Sequence, residues 1–447
     1  MNWVFLGLIV SSILAGAFTG TMPKVTEASL ASAKSAVELA IGLIGQMTLW
    51  LGLVGVLREA GLLRSVARGL TPVMRRLFPE VPVDHPAMGA MIMNIAANVL
   101  GLGNAATPFG LKAMQELDKL NTRKGVSTNS MALFLVINTS GVAVLPLGVI
   151  AVRATLGSKD PAGIIVPTLI ATLCSTVVAA FACKLLERLP AFSAERYPAV
   201  EIDAAANKAP DAASLQQAEA LATLERRGAS WRRWVVLAIV AAVLVALGLH
   251  VARASATQAP FEVTRGVLSD WLLPLLILSI VTLGFGREVK VYEAFIAAAK
   301  DGFQTVVAII PFLVGMLVAI GMFRASGAMD LLVGALSPLL EPLGFPAQAL
   351  PMALIRPLSG SGALGVMTES LKAYGPDSFV GYLVSVLNGS TETTFYVLAL
   401  YFGAVQVKVL RHALLACLVA DFAGPTGALL ACKLFFGAAP LVAVLPK

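Results

Sequence analysis

The chain has 447 residues, 57% of them hydrophobic and 13% charged, with a formal charge of +7. An average soluble domain carries about 25% charged residues, and the mean hydropathy here is +0.83, which excludes a soluble globule. The 39 Gly and 24 Pro fit a polytopic helical membrane protein with closely packed, interrupted helices.

The apolar start, Asn2 to Thr19, lacks a basic n-region and a clean cleavage site, so it is expected to be a retained first helix rather than a signal peptide. Runs long enough to cross a ~30 Å hydrocarbon core follow near 36–57, 128–152, 163–186, 233–251, 268–285, 303–323, 378–403 and 410–436, about nine crossings with the first. Two further apolar stretches, 86–115 and 347–371, are broken by Gly, Asn, Ser and Pro. They are predicted to be re-entrant hairpins, because non-helical backbone at membrane depth must be buried in protein or line a wet cavity. A polar stretch from Pro190 to Arg233 reads as a linker. The expected division is a membrane half over 1–189, a polar cytoplasmic linker over 190–232 and a second membrane half over 233–447.

An internal repeat joins the halves. Gly55, Arg58, Gly61, Leu70, Thr71 and Pro72 match Gly321, Arg324, Gly327, Leu336, Ser337 and Pro338 at an offset of about 266 residues. Each block leads to a Phe-Pro pair, a Gly-rich hairpin and a helix interrupted by polar residues, Asn138-Thr139-Ser140-Gly141 in one half and Asn388 to Thr394 in the other. With the N-terminus in the cytoplasm, segments 58–86, 112–127, 184–233, 286–301 and 404–411 face the same side and carry about 22 of the 33 Lys and Arg residues. Five crossings then separate equivalent elements, so the duplication is inverted. The predicted fold class is an all-α polytopic membrane protein of two inverted structural repeats, each with a re-entrant hairpin and a broken transmembrane helix.

The strongest candidate site is Asn388, Ser390, Thr391, Glu392, Thr393 and Thr394 inside an apolar helix. A carboxylate at the bilayer centre costs at least ~2.5 kcal/mol, so Glu392 is expected to face a wet cavity or a counter-charge, or to be protonated. The other polar groups read either as a site or as helix-to-helix hydrogen bonds. The counterpart Asn138, Thr139 and Ser140 has no carboxylate, which makes the half-sites chemically unequal. The first hairpin offers Asn94, Asn98, Asn104 and Thr107, and the second Arg356, Ser359, Ser361, Thr368 and Glu369. Their Asn and Ser serve a solute or simply the tight turn. Arg356 reads as a partner of Glu392 or Glu369, or as a ligand for an anionic group. Asp421, followed by Gly424 and Pro425, reads as a stabiliser of a kink or as a proton relay.

Catalysis is not expected: Ser359 and Ser361 have no neighbouring His or Lys as base, and the chain has neither H-E-x-x-H nor a P-loop. The four cysteines lack C-x-x-C spacing, so no metal site and no cofactor are expected, and any active transport would draw on Na⁺ or H⁺. The basic residues lie between apolar runs, which argues against a nucleic-acid partner. The expected partners are the lipid bilayer and a small polar solute, and small-residue helix faces permit a homo-oligomer.

These motifs carry a resemblance. The stretches Asn98-Val99-Leu100-Gly101-Leu102-Gly103-Asn104-Ala105-Ala106-Thr107-Pro108 and Leu111-Lys112-Ala113-Met114 resemble the spore maturation protein A family of endospore-forming bacteria. Arg356-Pro357-Leu358-Ser359-Gly360-Ser361-Gly362-Ala363 and Gly389-Ser390-Thr391-Glu392-Thr393-Thr394-Phe395-Tyr396 resemble the spore maturation protein B family. The resemblance covers nearly the whole chain outside the linker and suggests a natural fusion. Both families fall in the nucleoside recognition, or Gate, group, which implies a transport core of hairpins and broken helices in the bacterial inner membrane. The expected function is a secondary transporter for a nucleoside, amino acid or short peptide, with Asn138, Ser140, Asn388, Ser390, Thr391 and Glu392 at the centre and Asn104, Ser359 and Ser361 closing it. The competing expectation is a non-transporting scaffold for spore or envelope maturation.

Overall fold

The computed structural model describes residues 2–100, 103–198, 230–256, 263, 267 and 271–436. Among them there is no strand, only an isolated parallel bridge between Val126 and Val409. In chain order the helices are α1 (Asn2–Thr19), α2 (Met22–Glu59), α3 (Leu62–Leu77), α4 (Pro86–Val99), α5 (Gly103–Lys119), α6 (Asn129–Ser140), α7 (Leu147–Thr155) and α8 (Ile165–Leu186). After the linker come α9 (Ser230–Ser255), α10 (Leu272–Gly286), α11 (Val291–Ala325), α12 (Ala328–Leu340), α13 (Leu350–Ile355), α14 (Gly360–Tyr374), α15 (Phe379–Ser390), α16 (Thr394–Ala404) and α17 (Ala413–Phe436). Of the expected linker, Pro190–Phe192 and Ala194–Arg196 form two 3₁₀ turns, and 199–229 lie outside the described residues.

Among the described residues five helices are long and apolar enough to cross a membrane unbroken: Met22–Glu59, Ile165–Leu186, Trp231–Ser255, Val291–Ala325 and Ala413–Phe435. The other expected crossings are covered by shorter helices, 3–20 by α1 and 268–285 by α10, while 128–152 and 378–403 are each split into two, α6 with α7 and α15 with α16. The helix from 231 to 255 has no buried residue in its most apolar window. Its row of Trp234, Leu237, Leu244, Val245 and Leu249 is exposed, as suits a helix bathed in lipid.

Several elements of the two halves correspond. Helix α2 matches α11, and each ends before a glycine of positive φ, Gly61 at +70° and Gly327 at +81°, a conformation that costs a Cβ-bearing residue energy. Helices α3 and α12 each carry an internal proline, Pro72 and Pro338. Helices α4 and α5, and likewise α13 and α14, pack on each other where the sequence predicts the two hairpins. Helices α6 and α15 start from equivalent caps: Thr128 Oγ1 accepts from Met131 N at 3.1 Å, and Ser378 Oγ from Gly381 N at 3.0 Å. Helices α8 and α17 close the halves and pack along each other.

Helices α2 and α11 form the most extensive contact, and glycine permits it. A Cβ on Gly55 would lie 2.2 Å from Ala298 Cβ, and one on Gly302 would lie 2.7 Å from Thr48 Cα. Van der Waals packing of close backbones holds helices together where lipid removes the hydrophobic drive.

The loops sort to two ends. At one, Lys408 N donates to Gly125 O (2.8 Å), Ser127 N to Val409 O (3.0 Å), Arg411 Nη1 to Ser127 O (2.8 Å), Arg123 Nη1 to Ala194 O (3.0 Å) and Ser130 Oγ to Glu80 Oε2 (3.1 Å). Arg287 Nη1 donates to Ala60 O at 2.6 Å. The described parts of the basic segments that these bonds join, around 80, 123–130, 194 and 408–411, therefore gather at one end. At the other end Arg153, 1% exposed, donates to Pro376 O (2.6 Å), Ser158 Oγ (3.0 Å), Asp160 O (3.1 Å) and Asp377 Oδ1 (3.2 Å). It ties α7 to the start of α15.

Breaking a buried charge pair from one side costs about 3–5 kcal/mol. Arg153→Ala is expected to lower the melting temperature sharply, and Asp377→Asn to lower it less, because the Asp377 side chain is 39% exposed; thermal unfolding in detergent followed by circular dichroism measures both. At the basic end His412 is fully buried, packs edge-on to Phe192 and has no partner on either ring nitrogen. Burial, then Arg411 and Lys184, push it down to about 4 from 6.5. Within that window the unfolded chain binds a proton that the folded one refuses, so stability falls as pH falls from about 6.5 to about 4. His412→Phe is expected to flatten that part of the melting temperature against pH.

Candidate functional site

Helix α6 ends at Gly141, whose φ is +23°, and the chain does not re-enter a helix until Leu147. Helix α15 ends at Ser390, and Thr391 is extended at φ −143°, ψ 165°. These two stops face each other. Glu392 N donates to Thr139 O at 2.7 Å, so a donor released by one broken helix is taken up by an acceptor released by the other. Each stop is also tied to the hairpin of its own half, Val144 N to Val99 O at 3.2 Å and Phe395 N to Pro357 O at 3.2 Å. Backbone groups at membrane depth have no water to fall back on, and these three bonds join both hairpins and both breaks into one frame.

Glu392 stands over this frame with its side chain 56% exposed. A Cβ on Gly141 would come within 3.1 Å of Glu392 Cγ, so the second half's carboxylate lies directly on the first half's break. Its Oε2 is 3.4 Å from Arg356 Nη2, and Arg356 Nη1 donates to Thr393 Oγ1 at 3.3 Å. The Arg356 side chain is 11% exposed and its Nε is buried without a partner. Charge-assisted bonds are normally 2.7–2.9 Å, so the pair is a loose one. The two readings of Arg356 as an internal partner resolve to Glu392, since Glu369 Oε1 lies 3.4 Å from Arg324 Nε.

The first half contributes amides. Asn138, 4% exposed, accepts at Oδ1 from Asn98 Nδ2 (2.9 Å) and donates from Nδ2 to Phe134 O (2.9 Å). Asn94 Nδ2 donates to Ala106 O (2.8 Å) and Tyr401 OH (3.2 Å), and Tyr401 OH lies 3.5 Å from Asn138 Oδ1. Tyr401 stacks on Phe134 with ring centres 6.0 Å apart. Sequence reading missed Tyr401; its one signal was a tyrosine inside an apolar run, too common to single out.

Several expected site hydroxyls are turned inward. Thr139 Oγ1 and Ser140 Oγ bond to Val136 O at 2.9 and 3.0 Å, and Ser390 Oγ to Leu387 O at 2.9 Å, the return to the helix's own carbonyls that Ser and Thr make in membranes. Ser359 Oγ caps α14 by accepting from Gly362 N at 3.0 Å, with Ser361 Oγ 3.3 Å away. Thr391 is buried against Gly424, and Asn388 is half-buried on the last turn of α15. Asn104 is in α5, but its side chain, with Gly101 and Leu102, lies outside the described residues. Asp421 on α17 accepts from Thr394 Oγ1 at 2.9 Å. Among the described residues no group of three or more His, Cys, Asp or Glu could hold a metal ion.

The arrangement offers a carboxylate and a guanidinium that are loosely engaged, beside a neutral amide network, where two helix ends meet and are tied to Val99 and Pro357. It can hydrogen-bond a polar solute, and it can exchange an internal ion pair for an external one.

The family described as nucleoside recognition, Gate, matches residues 40–157 and 306–408, starting points separated by the same offset of about 266 that the sequence repeat shows. The chain is similar to spore maturation protein B of Bacillus subtilis (strain 168), 46% identical over 172 residues, which are 38% of this chain and 97% of that protein. It is similar to spore maturation protein A of the same organism, 41% identical over 177 residues, 40% of this chain and 90% of that protein. No solved structure matches.

Proposed function

Because the chain belongs to the spore maturation protein A and B family, within the nucleoside recognition group and in keeping with a fusion of the two, we propose that it is a secondary transporter for a small polar solute, working by alternating access. The observation that carries this reading is the meeting of the two helix breaks at Glu392. Helix α6 starts at the basic end, beside Val409, and α15 starts at the opposite end, beside Arg153. They run toward each other and stop where Glu392 N reaches Thr139 O. Equivalent elements that enter from opposite ends are an inverted repeat, and α4/α5 and α13/α14 are its re-entrant hairpins. Such repeats with discontinuous helices at the midplane let one site open to each face in turn.

The substrate we propose is a nucleoside, amino acid or short peptide, bound by Asn98, Asn138, Arg356, Thr393 and Glu392. The chain acts without enzymatic chemistry, in the inner membrane of a bacterium, with the basic end in the cytoplasm. A scaffold for spore or envelope maturation is the second reading. It is favoured by the inward-turned hydroxyls of Thr139, Ser140 and Ser390 and fits the names of the relatives.

A thermal-shift screen of the purified chain against nucleosides, amino acids and short peptides separates the two. A ligand at 100 times its Kd stabilises by about 2.7 kcal/mol. Transport predicts that one class raises the melting temperature and that Glu392→Gln abolishes the rise. A scaffold predicts that no class does, and that the variant is only less stable.

A further inference from the structure

Asp421 is the second carboxyl at the breaks, and the ion pair does not involve it. Its Oδ1 accepts from Thr394, the first residue of α16. Its Oδ2 is shut off from solvent with no hydrogen-bond partner. Around it, α8 brings Ser175, whose Oγ donates to Ala420 O at 3.1 Å, and α6 brings Thr139, whose Oγ1 meets Cys417 Sγ at 3.4 Å one turn before Asp421. Helix α15 brings Ser390, which faces Gly424. The ionisable groups that act on Asp421 are Cys417 on its own helix and, from the second hairpin, Arg356. Arg356 is a cation that attracts a charge on Asp421, and that guanidinium is engaged with Glu392.

A buried carboxylate with one oxygen unbonded, while Arg356 is engaged with Glu392, is costly. The neutral acid fits the same geometry, with Oδ1 as the accepting carbonyl and Oδ2 as the hydroxyl. We propose that Asp421 is the proton-carrying group of the site and that Arg356, by pairing or not pairing with Glu392, sets whether it holds the proton.

While Arg356 pairs with Glu392, the site holds one negative charge, one positive charge and a neutral acid. When a cationic group of a solute takes over Glu392, the released guanidinium balances a carboxylate at Asp421. The Oδ2–H bond then breaks, its electron pair stays on oxygen, and the proton passes to water in the space where Glu392 is exposed. One cation enters and one proton leaves, so the buried net charge is unchanged. The exchange rests on the transport reading above, but the charge state of Asp421 does not, and it can be tested without any solute.

The experiment is infrared titration of the full chain in lipid nanodiscs, reading the C=O stretch of a protonated carboxyl. The wild type is expected to show this band at pH 7 and Asp421→Asn to lack it. Glu392→Gln, which frees Arg356, is expected to move the disappearance of the band down by about one pH unit or more, and Arg356→Gln in that background to move it back up. A band that survives Asp421→Asn, or one that Glu392→Gln leaves in place, overturns the proposal. Should Asp421→Asn fail to fold, the wild type is treated with a hydrophobic carbodiimide, which adds to protonated carboxyls in apolar surroundings. An adduct on the Asp421 peptide that declines with rising pH supports the proposal, and an adduct only elsewhere overturns it. A negative solute screen with a positive titration would sink the transport reading while leaving Asp421 protonated.

Discussion

Everything at the centre of this molecule depends on one constraint: a backbone group inside a bilayer must find a protein partner. Two helices are interrupted at depth, and each interruption strands donors and acceptors. The bond from Glu392 N to Thr139 O joins the two halves, and those from Val144 N to Val99 O and from Phe395 N to Pro357 O tie each break within its own half. The breaks are stable only because they meet.

The halves share a plan but not a chemistry. The first supplies amides that bond each other and the protein, with Tyr401 of the second half completing the network. The second supplies the charges, Arg356 and Glu392, at a separation long enough to be competed for. The relatives are two separate proteins, each about as long as two fifths of this chain. Here a single chain supplies the Asn138 side and the Glu392 side in equal number.

Much of this was legible in the sequence because it followed from spacing. The repeat of Gly55, Arg58 and Gly61 in Gly321, Arg324 and Gly327 reappears as matching helix ends with matching positive φ at both second glycines. The polar clusters after Ile137 and Leu387 reappear as helix stops. Side-chain direction was not legible. Nothing in a string of Ser and Thr says whether a hydroxyl turns to a cavity or to the carbonyl one turn back, and Thr139, Ser140 and Ser390 turn back. Nor does spacing reveal that Tyr401 reaches across to Asn94 and Asn138, or that Arg324 rather than Arg356 takes Glu369. Those are facts of three-dimensional approach between segments far apart in the chain.

The central claim is that the place where the breaks meet is reached from both sides of the membrane in turn. The most direct test places a single cysteine there, Glu392→Cys with Cys174, Cys183, Cys417 and Cys432 changed to alanine, and applies a membrane-impermeant thiol reagent to right-side-out and to inverted vesicles. Alternating access predicts labelling in both preparations. Labelling in one alone, or in neither, contradicts it.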